Sequence, residues 1–482
     1  MASVQLIPPV SDLYEMIEAF LQAPVYHLIF EVCLIVLIIK LVFSKSFAGA
    51  PETILTKKEE EGLIAEWTPD PLEQDVPPDH PVLQSLEKNL VTGPPGKYVE
   101  INGKKCVNMA TLNFLGMSCR PEIVDAAVKT MRKYGVGSCG PRGFYGTMDV
   151  HLDLEEKFAK FMDCEESILY SYGFATIASA IPAYSKRGDV IFVDDGVCFA
   201  IQKGLVASRS AIKWFKHNDM EDLERLLKIQ QEEDKKIPKK AKVTRRFLVV
   251  EGLYMNYADI CPLPQLVALK WKYKLRLFME ESLSFGVLGA NGKGVTEYYD
   301  ISRDEVDLIA ATLENSMGTC GGFCCGKKYV IDHQRLSGMG YCFSASLPPM
   351  LATVAIEALR TLEEDPSLLT KLSHNCQRVQ EKLSRIPGIQ VHGDPVAPIK
   401  HVRLEELNDD RSINVQTLEK IVDKARDLSV AITVSRYLES DEHITPSPSI
   451  RLSVNASLTD EEIDRSVELI GKACAAVLNS YS

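Results

Sequence analysis

The sequence predicts an α/β fold: a large domain on a mostly parallel sheet, a smaller C-terminal α+β domain, and a single N-terminal transmembrane helix ahead of both. Three observations carry that expectation. A 20-residue apolar run lies near the N-terminus. Short apolar strands alternate with amphipathic helices from about residue 91, and the pattern changes after Pro348-Pro349.

Composition narrows the class. With 482 residues, 46% of them apolar and 25% charged, the chain can bury a full core and is not disordered overall. Basic residues number 54 against 66 acidic ones, a net charge of −12, which argues against a nucleic-acid partner. The 13 cysteines are scattered, with no CxxC and no Cys/His cluster at zinc spacing, so neither a disulfide scaffold nor a metal site is expected. Reduced thiols fit a cytosolic environment.

Residues 1–23 carry Leu13, Met16, Ile17, Phe20 and Leu21 at helical spacing behind Ser11, a good N-cap. That helix either lies on a bilayer surface or packs on the soluble domain. Residues 24–43 form the apolar run; as a helix they cover about 30 Å, one hydrocarbon thickness. Lys40 stands near its end and can snorkel. Glu31 stands near its middle, where a charge costs roughly 2.5–3.5 kcal/mol, so it is either protonated or snorkelling, or meets a partner's helix. No Lys or Arg precedes Lys40, so an uncleaved anchor is expected and not a signal peptide, despite Ala48-Gly-Ala50. Positive charge follows the span (Lys45, Lys57, Lys58) and acid precedes it (Asp12, Glu15, Glu18). That asymmetry predicts a lumenal N-terminus and a cytosolic body.

Residues 44–90, with Pro69, Pro71, Pro77, Pro78 and Pro81, read as an extended cytosolic arm. The large domain is expected over 91–349, with strands at 167–172, 190–194, 247–251, 275–280 and 307–311. Pro121 opens one helix at its first position, and Asp219 caps another. The small domain is expected over 350–482, with helices near 350–364 and 367–386 and strands near 388–392, 399–403, 429–434 and 448–454. Its last helix follows the capping box Thr459-Asp-Glu-Glu462. The basic stretch 235–246 reads as a solvated loop or a contact for anionic lipid, and the sequon Asn455-Ala-Ser457 as chance.

Four motifs then appear in order: Asn113-Phe-Leu-Gly116; Gly143-Phe-Tyr-Gly-Thr147 with His151 and Leu154-Glu155; Gly286-Val-Leu-Gly289; and Phe343-Ser-Ala-Ser-Leu-Pro-Pro349. Over roughly 90–480 the chain resembles the α-oxoamine synthases, pyridoxal-phosphate enzymes that condense an amino acid with an acyl-CoA and release carbon dioxide. The resemblance implies a fold-type I large domain with a mostly parallel seven-stranded sheet. It also implies a Schiff-base lysine, a carboxylate on the pyridine nitrogen and a histidine on the ring. Here Asn315 stands at the lysine position in Thr312-Leu-Glu-Asn-Ser-Met-Gly318. Leu283 replaces the histidine that binds the ring hydroxyl, and Cys198 the stacking histidine, while Glu280 keeps a carboxylate. Lys327 and Lys328 lie past the glycine turn and are poor substitutes.

With Tyr134-Gly-Val-Gly-Ser-Cys-Gly-Pro-Arg142 and the N-terminal span, the pattern resembles the family's non-catalytic, membrane-anchored long-chain-base subunits. That implies an endoplasmic reticulum membrane, a catalytic second long-chain-base subunit that holds pyridoxal phosphate covalently, small activating subunits and an Orm-type regulator. Family active sites lie at the dimer interface, so Cys139, Arg142, Ser344 and Ser346 are expected to face the partner's cofactor. Cys139 could instead be a small buried hydrophobe. Arg451 matches the family's carboxylate-gripping arginine, either still in use or a remnant. Cys324-Cys325 reads as buried strand packing. Two other functions stay open: an active condensing enzyme with a non-covalent cofactor, and a membrane scaffold or lipid-sensing module.

Overall fold

The computed structural model describes residues 24–43, 55–69 and 89–479. The chain forms two compact units, Met1–His80 and Pro81–Ser482.

In the first unit, α1 (Val25–Phe43) has no buried side chain and is long and apolar enough to cross a membrane. Lys40 is exposed and Glu31 half-buried on it. Part of the expected extended arm is helical instead. Helix α2 (Lys57–Glu66) is started by a capping box, in which Thr56 Oγ1 accepts the Glu59 N–H at 3.4 Å and the Glu59 carboxylate accepts the Thr56 N–H at 2.8 Å. The predicted helix behind Ser11 and the prolines from Pro71 to Pro81 lie outside the described residues.

The second unit begins with an antiparallel meander, β1 (Val91–Thr92), β2 (Tyr98–Ile101) and β3 (Lys104–Asn108). Helices α3 (Pro121–Tyr134) and α4 (Asp149–Phe161) follow. The central sheet holds β4 (Glu166–Tyr170), β5 (Val190–Asp194), β6 (Ala211–Phe215), β7 (Arg246–Glu251), β8 (Arg276–Glu280), β9 (Leu308–Thr312) and β10 (Gly322–Gly326). Its order is β4-β10-β9-β8-β7-β5-β6. From β9 to β6 every neighbouring pair is parallel, while β10 runs antiparallel to both β4 and β9. Every residue of β5 and β9 is buried, as strands covered on both faces require.

Between strands, α5 (Gly173–Tyr184) and α6 (Phe199–Ser208) pack on each other, and α7 (Met220–Lys236) starts where the Asp219 carboxylate accepts two backbone N–H groups. The basic stretch 235–246 is largely exposed, with Lys235 paired to Glu232 at the surface, Arg245 to Asp189 and Arg246 to Asp234. Helix α8 (Pro349–Glu364) packs on α3 and α4, and Thr130 Oγ1 donates to Thr353 Oγ1 at 2.9 Å across the first of these contacts. After α9 (Ser367–Leu383) comes a third sheet in the order β11-β12-β15-β14: β11 (Ile389–His392), β12 (Ile399–Leu404), β15 (Ile450–Ser453) and β14 (Thr433–Val434). Its pairs are all antiparallel. Strand β13 (Val430–Ala431) leaves that sheet and pairs in parallel with β3. Helix α10 (Asp460–Leu478) opens with the expected Thr459/Glu462 box.

The core is centred on aromatic contacts under β10. Phe323 stacks on Phe158 at 4.3 Å and meets Phe285 edge-on at 5.0 Å, with all three buried. Phe323→Ala is therefore expected to cost about 3–5 kcal/mol of stability, read as a lower denaturation midpoint with an unchanged slope.

Candidate functional site: a lysine-free cavity

Parallel strands that end on one edge bring their last residues together, and ligands of such sheets bind outside those ends. Here β7 ends in Glu251, β8 in Glu280 and β9 in Thr312. The starts of α5 and α6 close the sides, and Arg451 of β15 lines the same cavity, whose volume is about 390 Å³.

Asn315 is buried in the cavity wall, and its amide Nδ2 donates to the Ser282 carbonyl at 2.8 Å. Its own carbonyl accepts the Phe114 N–H at 3.0 Å. The first bond engages the side-chain amide nitrogen and the second the backbone carbonyl, and an amide cannot form an imine. No lysine lines the cavity. Lys328 lies at the surface, paired with Glu166 and Asp332. Leu283 is buried and apolar. Cys198 is the N-cap residue of α6, and burial, then Glu251 and Glu280, push its thiol far up and keep it protonated.

The floor is acidic. Glu251 and Glu280 are register partners on β7 and β8, so their side chains share a face. Burial and the charge of Glu280 raise Glu251 to about 8; burial raises Glu280 to about 7. Glu251 accepts the Met255 N–H at 2.9 Å, and Glu280 accepts the Ser282 N–H at 3.1 Å. Glu281 is also fully buried and raised to about 8, but it turns away to accept the N–H of Val295. Sequence reasoning found Glu280 and missed Glu251, whose signal was a second glutamate at the end of the neighbouring parallel strand. Arg451 keeps a buried Nε without a hydrogen-bond partner, and burial lowers its pKa. A guanidinium in that state is free to take a carboxylate.

Two of the residues expected at a partner's active site, Arg142 and Ser346, are buried and bonded within this chain. Arg142 is buried in a two-pronged pair with Glu155, Nη1 to Oε1 at 2.8 Å and Nη2 to Oε2 at 2.9 Å. The Glu155 of the quoted motif is the reason, and it leaves no prong for a partner. Ser346 is buried too; its hydroxyl donates to the Gly140 carbonyl at 3.2 Å and to the Gly146 carbonyl, and so is not available to a phosphate. His151 serves the same region, with Nδ1 accepting the Met148 N–H at 3.1 Å and Nε2 donating to the Leu347 carbonyl at 2.7 Å. Cys139, by contrast, is exposed and not a core hydrophobe, and its φ is +59°. Ser344 is half-buried, and Phe144, Tyr145 and Phe343 stand out into solvent around the same loops. Cys324 and Cys325 are buried on β10, as expected.

The residues do not fit covalently held pyridoxal phosphate. Glu280 could meet a pyridine nitrogen, but the lysine is absent and Leu283 offers the ring hydroxyl nothing. Where α5 begins, the Glu314 carboxylate stands in the wall. Among the described residues, no group of three or more His, Cys, Asp or Glu is arranged to hold a metal ion.

Comparison with known proteins gives a consistent result. The family model described as aminotransferase class I and II matches residues 104–470. Serine palmitoyltransferase 1 of Dictyostelium discoideum is 44% identical over 454 residues, covering 92% of this chain and 93% of that protein. Long chain base biosynthesis protein 1b of Oryza sativa subsp. japonica is 42% identical over 453 residues, covering 94% and 92%. In fold, the chain is similar to a serine palmitoyltransferase variant from S. paucimobilis with bound PLP–myriocin aldimine: TM-score 0.73, 24% identity, 88% of this chain and 99% of that one.

The buried acids set a pH dependence. Glu251 and Glu280 titrate higher in the fold than in the unfolded chain, where the ordinary value is 4.5. Between about pH 4.5 and 8 the folded state therefore holds more protons, and stability falls as pH rises. Glu280→Gln removes one of the two acids. It is expected to stabilise the chain by about 1–3 kcal/mol at pH 8 and to change little at pH 5, read by urea titration at both pH values.

Proposed function

The chain belongs to the serine palmitoyltransferase 1 family, within the class I and II aminotransferases, and from that premise we propose that it is the membrane-anchored, non-catalytic subunit of a serine palmitoyltransferase. In this reading it works with a catalytic second long-chain-base subunit to condense L-serine with palmitoyl-CoA. The products are 3-ketosphinganine, CoA and carbon dioxide, the first step of sphingolipid synthesis. Pyridoxal phosphate supplies an electron sink there, held covalently by the partner's lysine. The observation that carries the reading is Asn315: at the position where an imine must form, this chain places an amide already bonded to Ser282.

The chain's own contribution is to hold and to shape. Helix α1 anchors the protein in the endoplasmic reticulum membrane, with the N-terminus lumenal and the folded body cytosolic. The loops around Cys139, Tyr145 and Phe343 form the face that completes the partner's active site. Inward bonds from Arg142, Ser138 and Ser346 make those loops rigid: Ser138 Oγ donates to the Ser346 carbonyl at 2.8 Å, and a Cβ on Gly146 would stand 2.0 Å from the Gly140 oxygen. Rigid, exposed apolar groups suit a surface that positions another chain's cofactor. Small activating subunits and an Orm-type regulator are the further partners this reading implies.

One preparation tests it. The full chain is purified alone and with the catalytic subunit, and imine absorbance and condensation activity are recorded. Both signals are expected in the complex and neither in the lone chain. Imine absorbance or activity from the lone chain would establish a catalytic enzyme instead, and absence of both signals from the complex would favour a scaffold. In the complex, Cys139→Trp is expected to lower kcat/KM about tenfold or to redirect amino-acid choice, with the heterodimer intact by size exclusion. Unchanged kinetics would remove Cys139 from the shared site.

A further inference from the structure

Strand β10 runs from Gly322, opposite Thr312 at the cavity end of β9, to Gly326, opposite Leu308 at the far end. Near that far end Cys325 lies between Ser167 of β4 and Ile309 of β9 and is fully buried. Cys164 stands two residues ahead of β4, in the turn that leaves α4. It is half-buried, and its thiol and the Cys325 thiol are hydrogen-bonding neighbours. Arg303, ahead of β9, reaches the same point. Its Nη2 donates to the Cys325 carbonyl at 2.8 Å, lies 3.8 Å from Cys325 Sγ, and the guanidinium also bonds the Cys164 thiol. Its Nη1 donates to the Val306 carbonyl at 2.5 Å, and its buried Nε has no partner. Two thiols and a guanidinium thus form one cluster. It borders a cavity of about 360 Å³ lined by Cys164, Arg303 and Gly326 among others.

The two thiols are not equivalent. Burial alone would raise Cys325, but the bond from Cys164 and the charge of Arg303 outweigh it and hold this thiol below the usual range. Cys164 moves the other way, raised by its bond to Cys325 and then by burial. Cys324, the next residue, faces the other side of β10, and burial pushes it far up. One sulfur is therefore an anion beside a cation, and the other is a protonated neighbour placed to resolve it.

We infer that Cys164 and Cys325 are a modification site for peroxides, at which the two thiols close to a disulfide beside Arg303. A small peroxide enters by the cavity and meets the Cys325 sulfur. An S–O bond forms, the O–O bond breaks, and hydroxide leaves, taking back as water the proton that Cys325 had given up. The Cys164 sulfur then attacks the Cys325 sulfenic acid. An S–S bond forms, the S–O bond breaks, and the hydroxyl leaves with the Cys164 proton as a second water. The two thiols supply two electrons, and the peroxide accepts them. The bridge fastens the turn after α4 to β10. It is independent of the role of Asn315, which lies past the other end of β9.

The full chain in detergent is treated with hydrogen peroxide, its free thiols are capped with iodoacetamide in denaturant, and unreduced tryptic peptides are mapped by mass spectrometry. The expected product joins the Cys164 and Cys325 peptides, is lighter than their sum by the mass of two hydrogens, and is undone by dithiothreitol. It is expected while most of Cys139 and Cys320, both exposed, still takes the cap. Cys324 shares a peptide with Cys325, so the bridge is expected to persist in Cys324→Ala and to vanish in Cys325→Ala. In Cys164→Ser no second thiol resolves the sulfenic acid, and dimedone is expected to trap it at Cys325. Arg303→Gln is expected to slow the bridge about tenfold at neutral pH, and Arg303→Lys to recover it. Peroxide that oxidises Cys139 and Cys320 while Cys164 and Cys325 still take the cap overturns the proposal. So does a bridge that needs Cys324, or one whose rate is unchanged in Arg303→Gln.

Discussion

The parallel register of β7, β8 and β9 is the constraint on which the site depends. Backbone pairing of Val250 with Met279 and of Glu251 with Glu280 puts two acids side by side at one sheet edge. Pairing of Glu280 with Ala310 brings the turn after β9 to the same place. Glu251 and Asn315, 64 positions apart, thereby line one cavity. The antiparallel β10 flanks β9 in the same sheet, and its Gly322 leaves room for Thr176, since a Cβ there would come within 2.2 Å of Thr176 Oγ1.

This explains why the scaffold and the chemistry part company. Packing demands are local and unforgiving. At Gly286, φ is +70° and a Cβ would lie 2.5 Å from Ser316 Cβ, so only glycine fits without rearrangement. The chemical positions carry no such steric demand. Asn315 and Leu283 are buried wall residues, Asn315 with its amide nitrogen bonded to the Ser282 carbonyl and Leu283 with no polar group, and Cys198 lines the same wall. Steric demands fix the glycines and the sheet register, while the cavity wall is free to be lined by acids.

Much of this was legible in the sequence where the signal is local. Strand β5 was read to the residue, because Val190–Asp194 is a continuous apolar run closed by a polar residue. Helices behind Pro121, Asp219 and Thr459 start where their caps say. Other elements were hidden for physical reasons. Strand β6 carries Lys213 at its partly exposed edge of the sheet, which interrupts the apolar run. The box at Thr56 was hidden by the charge and proline around it. The cavity was half legible: Asn315, Leu283 and Glu280 sit in ordered motifs, but Glu251 acquires meaning only through sheet register. The pairing of Arg142 with Glu155 was not legible, because the two meet only when the loop folds back on α4.

One buried amide bears on the history of each molecule. Asn455, the acceptor residue of the Asn455-Ala-Ser457 sequon, is 6% exposed; its Nδ2 donates to the Asn113 carbonyl, while its own carbonyl accepts the Asn375 amide at 3.0 Å. Ser457 Oγ fits where Gly116 lacks a side chain, 2.5 Å from the position of an added Cβ. A glycan on Asn455 and this fold are mutually exclusive. The sequon is therefore a recorder of history: sugar at that site marks a molecule whose C-terminal part met the glycosylation machinery before it folded.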